Sequence, residues 1–149
     1  MYKIKLFNSF RNTAMIVLLL SYSGCVTISA FDQYAYAQTT SLKVDALNLM
    51  DLAKEDYSAH QASVMEFQTK FQKVYAYEKN RPKNEITLKL WDKISAPDGH
   101  LLGGFISRWE KDKKLNAIFI SDEKKLVDDA FDVIAGLESK KIKSSGSGK

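Results

Sequence analysis

The stretch VDALNLMDLAKEDYSAHQASVMEFQTKFQKVYAYEK, residues 44–79, decides the fold of this chain. Its mostly apolar stripe recurs at alternating steps of four and three residues, a spacing that keeps the stripe on one side of a helix. No Pro or Gly interrupts it, and a strand would need a period of two. The pattern predicts one long helix over about 44–79, about 50 Å in length. Because Ser is a weak helix former, a bend near Tyr57-Ser58-Ala59 is the alternative. The stripe consists of Ala46, Met50, Ala53, Tyr57, His60, Val64, Phe67, Phe71 and Val74.

Arg81-Pro82 stops the long helix, because the residue before a proline leaves the helical region. A second, shorter helix is predicted after it. Asn84 is a suitable N-cap residue for it. Residues 86–90 also alternate as a strand would, so the pattern leaves strand open there. The cap and the four-residue steps together favour helix. Its apolar face comprises Ile86, Leu90, Trp91 and Ile94.

A turn at Ala96-Pro97-Asp98-Gly99 precedes a third helix, since Pro and Gly both favour turns. Gly103-Gly104 lies within the apolar face of this helix and costs it about 2 kcal/mol relative to alanine. Such a cost predicts that another helix approaches closely there. The rest of the face comprises Leu101, Leu102, Phe105, Ile106 and Trp109.

The last predicted helix follows a short apolar connector at 115–120, with Ser121 or Asp122 as its N-cap. Its apolar face comprises Leu126, Val127, Ala130, Phe131, Ile134 and Leu137. The fold class predicted from these patterns is all-α, a small helical bundle in which three shorter helices pack along one long helix. It forms a single domain over 38–143, and the Ser, Gly and Lys residues of 144–149 predict a disordered tail.

The first 37 residues have the pattern of an export signal. A basic start at Lys3, Lys5 and Arg11 is followed by an apolar run through Phe31. The run is followed by Ala35-Tyr36-Ala37, a small-x-small site for signal peptidase. The sequence therefore predicts a protein exported to the bacterial periplasm or secreted.

Three outcomes remain open for this signal. Cleavage between Ala37 and Gln38 would leave a mature chain without cysteine, because Cys25 is the only one. Lipid attachment at Cys25 would anchor the chain to a membrane, although Tyr22 stands where such signals usually carry an aliphatic residue. The apolar run is also just long enough to be retained as an anchor.

Composition limits the chemistry available to the mature chain. The net charge is +4, but four of the 22 Lys and Arg residues lie in the last ten positions, which contain no Asp or Glu. The remainder has no basic face of the kind that nucleic acid requires, so we expect no nucleic-acid partner. We expect no cofactor, and loss of Cys25 would also exclude disulfides and thiol catalysis.

The two histidines are the candidate functional residues, with Tyr57 and Asp98 beside them. His60 lies on the apolar stripe one turn from Tyr57, but its neighbours at i+3 and i+4 are not metal ligands. Asp98 and His100 could orient one another in a loop, yet no nucleophile motif accompanies them. We interpret all four as mainly structural.

The sequence favours a non-catalytic helical binding module in the cell envelope, with a protein partner or self-association through a helical face. Membrane association would follow from a lipidated or uncleaved N-terminus. The alternative is a small exported hydrolase or metal-dependent enzyme that uses His60 or His100.

Overall fold

A computed structural model describes the backbone of residues 29–145 and the side chains of residues 29–139. Within this range the chain is all-helical and contains no strand, which confirms the predicted all-α class. No helix within the range is long and apolar enough to span a bilayer. The helices are α1 Gln33–Asp51, a 3₁₀ turn Leu52–Lys54, α2 Tyr57–Lys79, α3 Glu85–Ser95, α4 Leu102–Asp112 and α5 Ala117–Ser145.

The helix predicted over 44–79 is divided in two, so the continuous rod was wrong. The alternative bend near Tyr57-Ser58-Ala59 was closer, because the break lies just before Tyr57. After the 3₁₀ turn, Glu55 adopts an extended conformation (φ −105°, ψ 170°), and the Asp56 carboxylate caps α2 by accepting from the Ser58 amide at 3.0 Å. The segment after α4 stabilises the break between α1 and α2, because the Leu115 amide donates a hydrogen bond to the Ala53 carbonyl at 2.8 Å. The indole of Trp109 also donates to the Glu55 carbonyl, at 3.0 Å. The apolar spacing continues across the break, which is why periodicity did not reveal it.

The core is centred on a chain of aromatic rings that joins three helices. Trp91 of α3 is fully buried and makes edge-on contacts with Phe71 of α2 and Phe131 of α5, at centroid distances of 5.2 and 5.8 Å. Edge-to-face pairs at these distances add to the stabilisation from burial alone. The rings therefore hold α3 between α2 and α5.

The segment 86–90 is helical, as favoured, and α2 ends at Lys79, ahead of Pro82. Asn84 occupies the N-cap position of α3 as predicted, but its side chain makes no capping hydrogen bond. Its amide donates to the carbonyl oxygen and the carboxylate of Glu78, so it joins the end of α2 to the start of α3.

The glycine pair in α4 lies where the prediction required a close approach. A Cβ on Gly103 would overlap the carbonyl oxygen of Ser95, and one on Gly104 would overlap the backbone of Gly99. The close neighbours are thus the last turn of α3 and the loop that follows it. Only glycine lets α4 pack against them.

The last helix starts earlier than predicted. The Asn116 side chain accepts from the Phe119 amide at 2.8 Å, so α5 begins at Ala117 and the caps proposed at Ser121 and Asp122 were wrong. This helix includes Ser144 and Ser145 of the predicted tail, and residues 146–149 lie outside the described range.

Candidate functional site

A cleft of about 470 Å³ opens between α2, α3 and α4. Its walls include four buried apolar side chains, two from α2 and two from α4, which are Phe67, Phe71, Leu102 and Ile106. Gly103 also lines the cleft, and its contact with Ser95 fixes the spacing between α3 and α4. The packing that required the glycine pair therefore also shapes one wall.

The ionisable groups that line the cleft are Tyr57, Tyr75, Asp92 and Glu110, and none of them is basic. The Tyr75 hydroxyl donates to Asp92 Oδ1 at 2.6 Å, and this bond, together with burial, raises the pKa of Tyr75. Burial, followed by the charge of Glu110, raises the pKa of Tyr57. The raised pKa values keep both phenols neutral at neutral pH. Gln68, Gln72 and Ser107 complete a rim of hydrogen-bonding groups.

His60 and Tyr57 belong to an aromatic cluster beside the break between α1 and α2. Tyr57 meets Trp109 edge-on at 5.3 Å, and the His60 ring lies 5.8 Å from Trp109. His60 Nε2 is 2.9 Å from a carboxylate oxygen of Glu55. Nowhere in the described part of the chain do three potential ligands gather as a metal site would require. The cluster orients His60 and supports the break.

Asp98 and His100 lie in the exposed turn between α3 and α4, where the Gly99 amide donates to the Ala96 carbonyl at 3.0 Å. Among the side-chain contacts of residues 29–139, no hydrogen bond or ion pair joins Asp98 to His100. Neither residue lines the cleft. The structure therefore does not bring the two predicted histidine sites together.

The residues of the predicted cleavage site lie in the first turns of α1. Ala35 is fully buried, Gln38 is half-buried and Ala37 is exposed. The alternative site of modification, Cys25, lies outside the described residues.

A buried ionic cluster at the far end of α2 was not predicted from the sequence. Arg81 donates to Glu138 Oε1 at 2.6 Å and to Glu78 Oε2 at 3.0 Å, and both carboxylates are almost fully buried. Burial opposes the charge of Arg81, but its bonds to these two residues raise its pKa on balance. The only local signal was the Glu-x-x-Arg spacing at the predicted end of the helix, since Glu138 lies 57 residues away.

No family model, curated protein or solved structure matches this chain.

Proposed function

We propose that this chain is an exported, non-catalytic binding protein whose cleft between α2, α3 and α4 holds a basic, apolar segment of a partner protein. The observation that carries the proposal is an apolar cleft whose ionisable lining groups are all acids or phenols. Export rests on the basic start at Lys3, Lys5 and Arg11 and on the apolar run that follows it.

The dimensions of the cleft suit a polypeptide segment. Its lining residues on α2 run from Tyr57 to Tyr75, which corresponds to about 27 Å of helix. A volume of about 470 Å³ spread over that length makes a shallow groove. An amphipathic helix can lay its apolar face into such a groove, with anchor residues one turn apart.

The charge of the rim specifies the sign of the partner. Asp92 on α3 and Glu110 on α4 both line the cleft. Lys or Arg side chains that flank the apolar anchors would pair with these carboxylates, which favours a basic segment and speeds its association. An acidic segment would meet like charges at both positions.

The alternative, a hydrolase or metal-dependent enzyme, finds its main support in the pair formed by His60 and Glu55. A carboxylate that orients an imidazole is two parts of a three-part catalytic set. Within residues 29–139 no side chain is hydrogen-bonded to His60 as a nucleophile would be. We therefore assign the pair a structural role.

Photocrosslinking in the native cell tests the proposal. A photoreactive amino acid replaces Gln72, which is exposed and lines the cleft, or Lys73, its exposed neighbour outside the cleft. We expect an adduct from position 72 alone, and mass spectrometry of the joined peptide should identify a segment with several Lys or Arg residues. Equal adducts from both positions, an acidic segment, or a second copy of this chain at position 72 would contradict the proposal.

A further inference from the structure

We propose that residues 29–37 are an integral part of the working protein, so that processing of the chain occurs upstream of Ser29 and not after Ala37. The inference takes one assumption from the proposed export, which is that a signal is removed from the chain. It reassigns the point of cleavage from structural contacts that the sequence pattern does not reveal.

The first contacts lie between Ser29–Asp32 and the loop that joins α2 to α3. The Ser29 hydroxyl donates to Asn84 Oδ1 at 3.0 Å, and Ser29 is buried. Arg81 donates to the Ala30 carbonyl at 2.8 Å, through the same Nη2 that binds Glu138. The segment thus supplies part of the hydrogen bonding of a guanidinium that has little access to water.

Asp32 joins the segment to two more elements. Its backbone amide donates to Glu138 Oε1 at 3.1 Å, and its carboxylate accepts from the Tyr77 hydroxyl. The same carboxylate caps α1 by accepting from the Ala35 amide at 3.0 Å. Cleavage after Ala37 would remove the cap of α1 and one of the acids around Arg81 together.

The first turn of α1 is also part of the core. Ala35 is fully buried, and its carbonyl accepts from the hydroxyl of the equally buried Thr39 at 2.8 Å. Cleavage after Ala37 would leave this hydroxyl without the acceptor and would open the core where Ala35 sits. Close packing around Ala35 is enough to explain why a small residue occupies this position. Recognition by a peptidase is not needed to explain it.

The position of the peptide bond favours the same conclusion. The bond after Ala37 lies within a continuous helix, so a cut there would divide α1 after its fifth residue. Ala37 itself is exposed, so a larger side chain there changes the peptidase site without disturbing the core.

The test is the N-terminus of the protein isolated from the envelope of its native cells, measured by intact mass and N-terminal peptide mapping. Three chains are compared: the natural chain, Ala37→Leu, which removes the small residue needed before the cut, and Tyr36→Leu, a control at the unrestricted middle position. We expect all three to carry the same N-terminus, at or before Ser29. An N-terminus at an acylated Cys25 would meet this expectation, whereas an unprocessed natural chain would contradict processing upstream of Ser29. A natural chain that begins anywhere after Ser29, or a precursor that accumulates only in Ala37→Leu, would overturn the inference.

Hydrogen exchange of the purified full chain provides a second readout that is independent of export. The Tyr36 amide donates to the Asp32 carbonyl and the Ala35 amide to the Asp32 side chain, so we expect both amides to exchange slowly. Rapid exchange at both would overturn the inference. Recovery of the protein from the cytosol would contradict the proposed export. The exchange rates of these two amides would still test whether residues 29–37 are part of the folded protein.

Discussion

The guanidinium of Arg81 lies 2.6 Å from the carboxylate of Glu138 and joins the residues that follow α2 to the last turns of α5. Both side chains are at least nine-tenths buried. Glu78 completes the arrangement from the other side of the guanidinium, at 3.0 Å. The pair closes the end of the helical domain at which the N-terminal segment also docks.

Replacement of Arg81 by Met should destabilise the protein strongly. Two buried carboxylates would lose their cation, and removal of one partner from a buried pair costs about 3–5 kcal/mol. Lys124→Met is the matched control, because Lys124 also lies 2.6 Å from its acid, Asp51, but both groups are partly exposed. Its loss should be below about 1 kcal/mol. Urea denaturation measures the loss of unfolding free energy in each variant. Equal losses would contradict the burial of the Arg81 ion pairs.

Acid should destabilise the protein partly through Asp32. The hydrogen bond from Tyr77 is the main cause that lowers the pKa of Asp32 below its ordinary value of 3.8, and the amide of Ala35 and the charge of Arg81 add to it. Because the folded-state pKa is the lower one, the contribution of Asp32 is complete above pH 3.8 and is lost as the pH falls through the folded-state value.

Asp32→Asn should therefore flatten the fall in unfolding free energy below pH 3.8, as measured by denaturation across pH 2 to 5 (roughly the range of carboxyl titration). Asp129→Asn, at an exposed position of α5, is the control and should leave the slope unchanged. An unchanged slope in Asp32→Asn would show that the contact with Tyr77 does not form in solution.

Alanine substitutions at two helical glycines should have opposite effects. Gly103→Ala would place a Cβ against the Ser95 carbonyl, and overpacking of this kind costs about 1–3 kcal/mol. A Cβ on Gly136 of α5 has nothing within 4 Å, so Gly136→Ala should stabilise the helix by up to about 1 kcal/mol. Thermal unfolding distinguishes them, and a stabilising Gly103→Ala would exclude the close packing of α3 on α4.

The two tryptophans should respond differently to replacement by Phe. Both are fully buried, but Trp109 donates to the Glu55 carbonyl, whereas the Trp91 indole N–H has no acceptor within the described part of the chain. Trp109→Phe should lose a further hydrogen bond of about 1 kcal/mol and loosen the break between α1 and α2. Trp91→Phe should cost less. Denaturant unfolding compares the two, and the reverse order would contradict the assigned role of Trp109.

Periodicity predicted most of the helices because each one buries a single face, but it did not predict residues 33–43 of α1. It identified the faces around Trp91 and Trp109, except that Ile86, assigned to the first of them, is exposed. The cost of Gly103-Gly104 correctly indicated a close approach. Periodicity missed the break at Glu55, because the steps of four and three continue across it. Each helix cap, at Asp56 and at Asn116, is decided by the hydrogen bonds of one side chain. Several residues nearby are equally suitable as caps, so the sequence pattern does not show which one is used.

The cleft and the ionic cluster could not be predicted, because each joins residues that are far apart in the sequence. Phe67 and Ile106 line the same cleft only because α4 packs on the loop that follows α3. Arg81 meets Glu138 only after α5 has returned along the domain. A one-dimensional pattern indicates which face is apolar, but it does not identify the helix that covers that face.

The most direct test of the proposed function is the affinity of the purified protein for a synthetic copy of the segment crosslinked at position 72. Glu110→Lys reverses one carboxylate at the exposed rim of the cleft, and Asp129→Lys makes the same change on α5, outside the cleft. We predict that Glu110→Lys weakens binding about tenfold or more, equivalent to at least about 1.4 kcal/mol, while Asp129→Lys leaves it nearly unchanged. Equal affinity in both variants would contradict binding of a basic segment in the cleft.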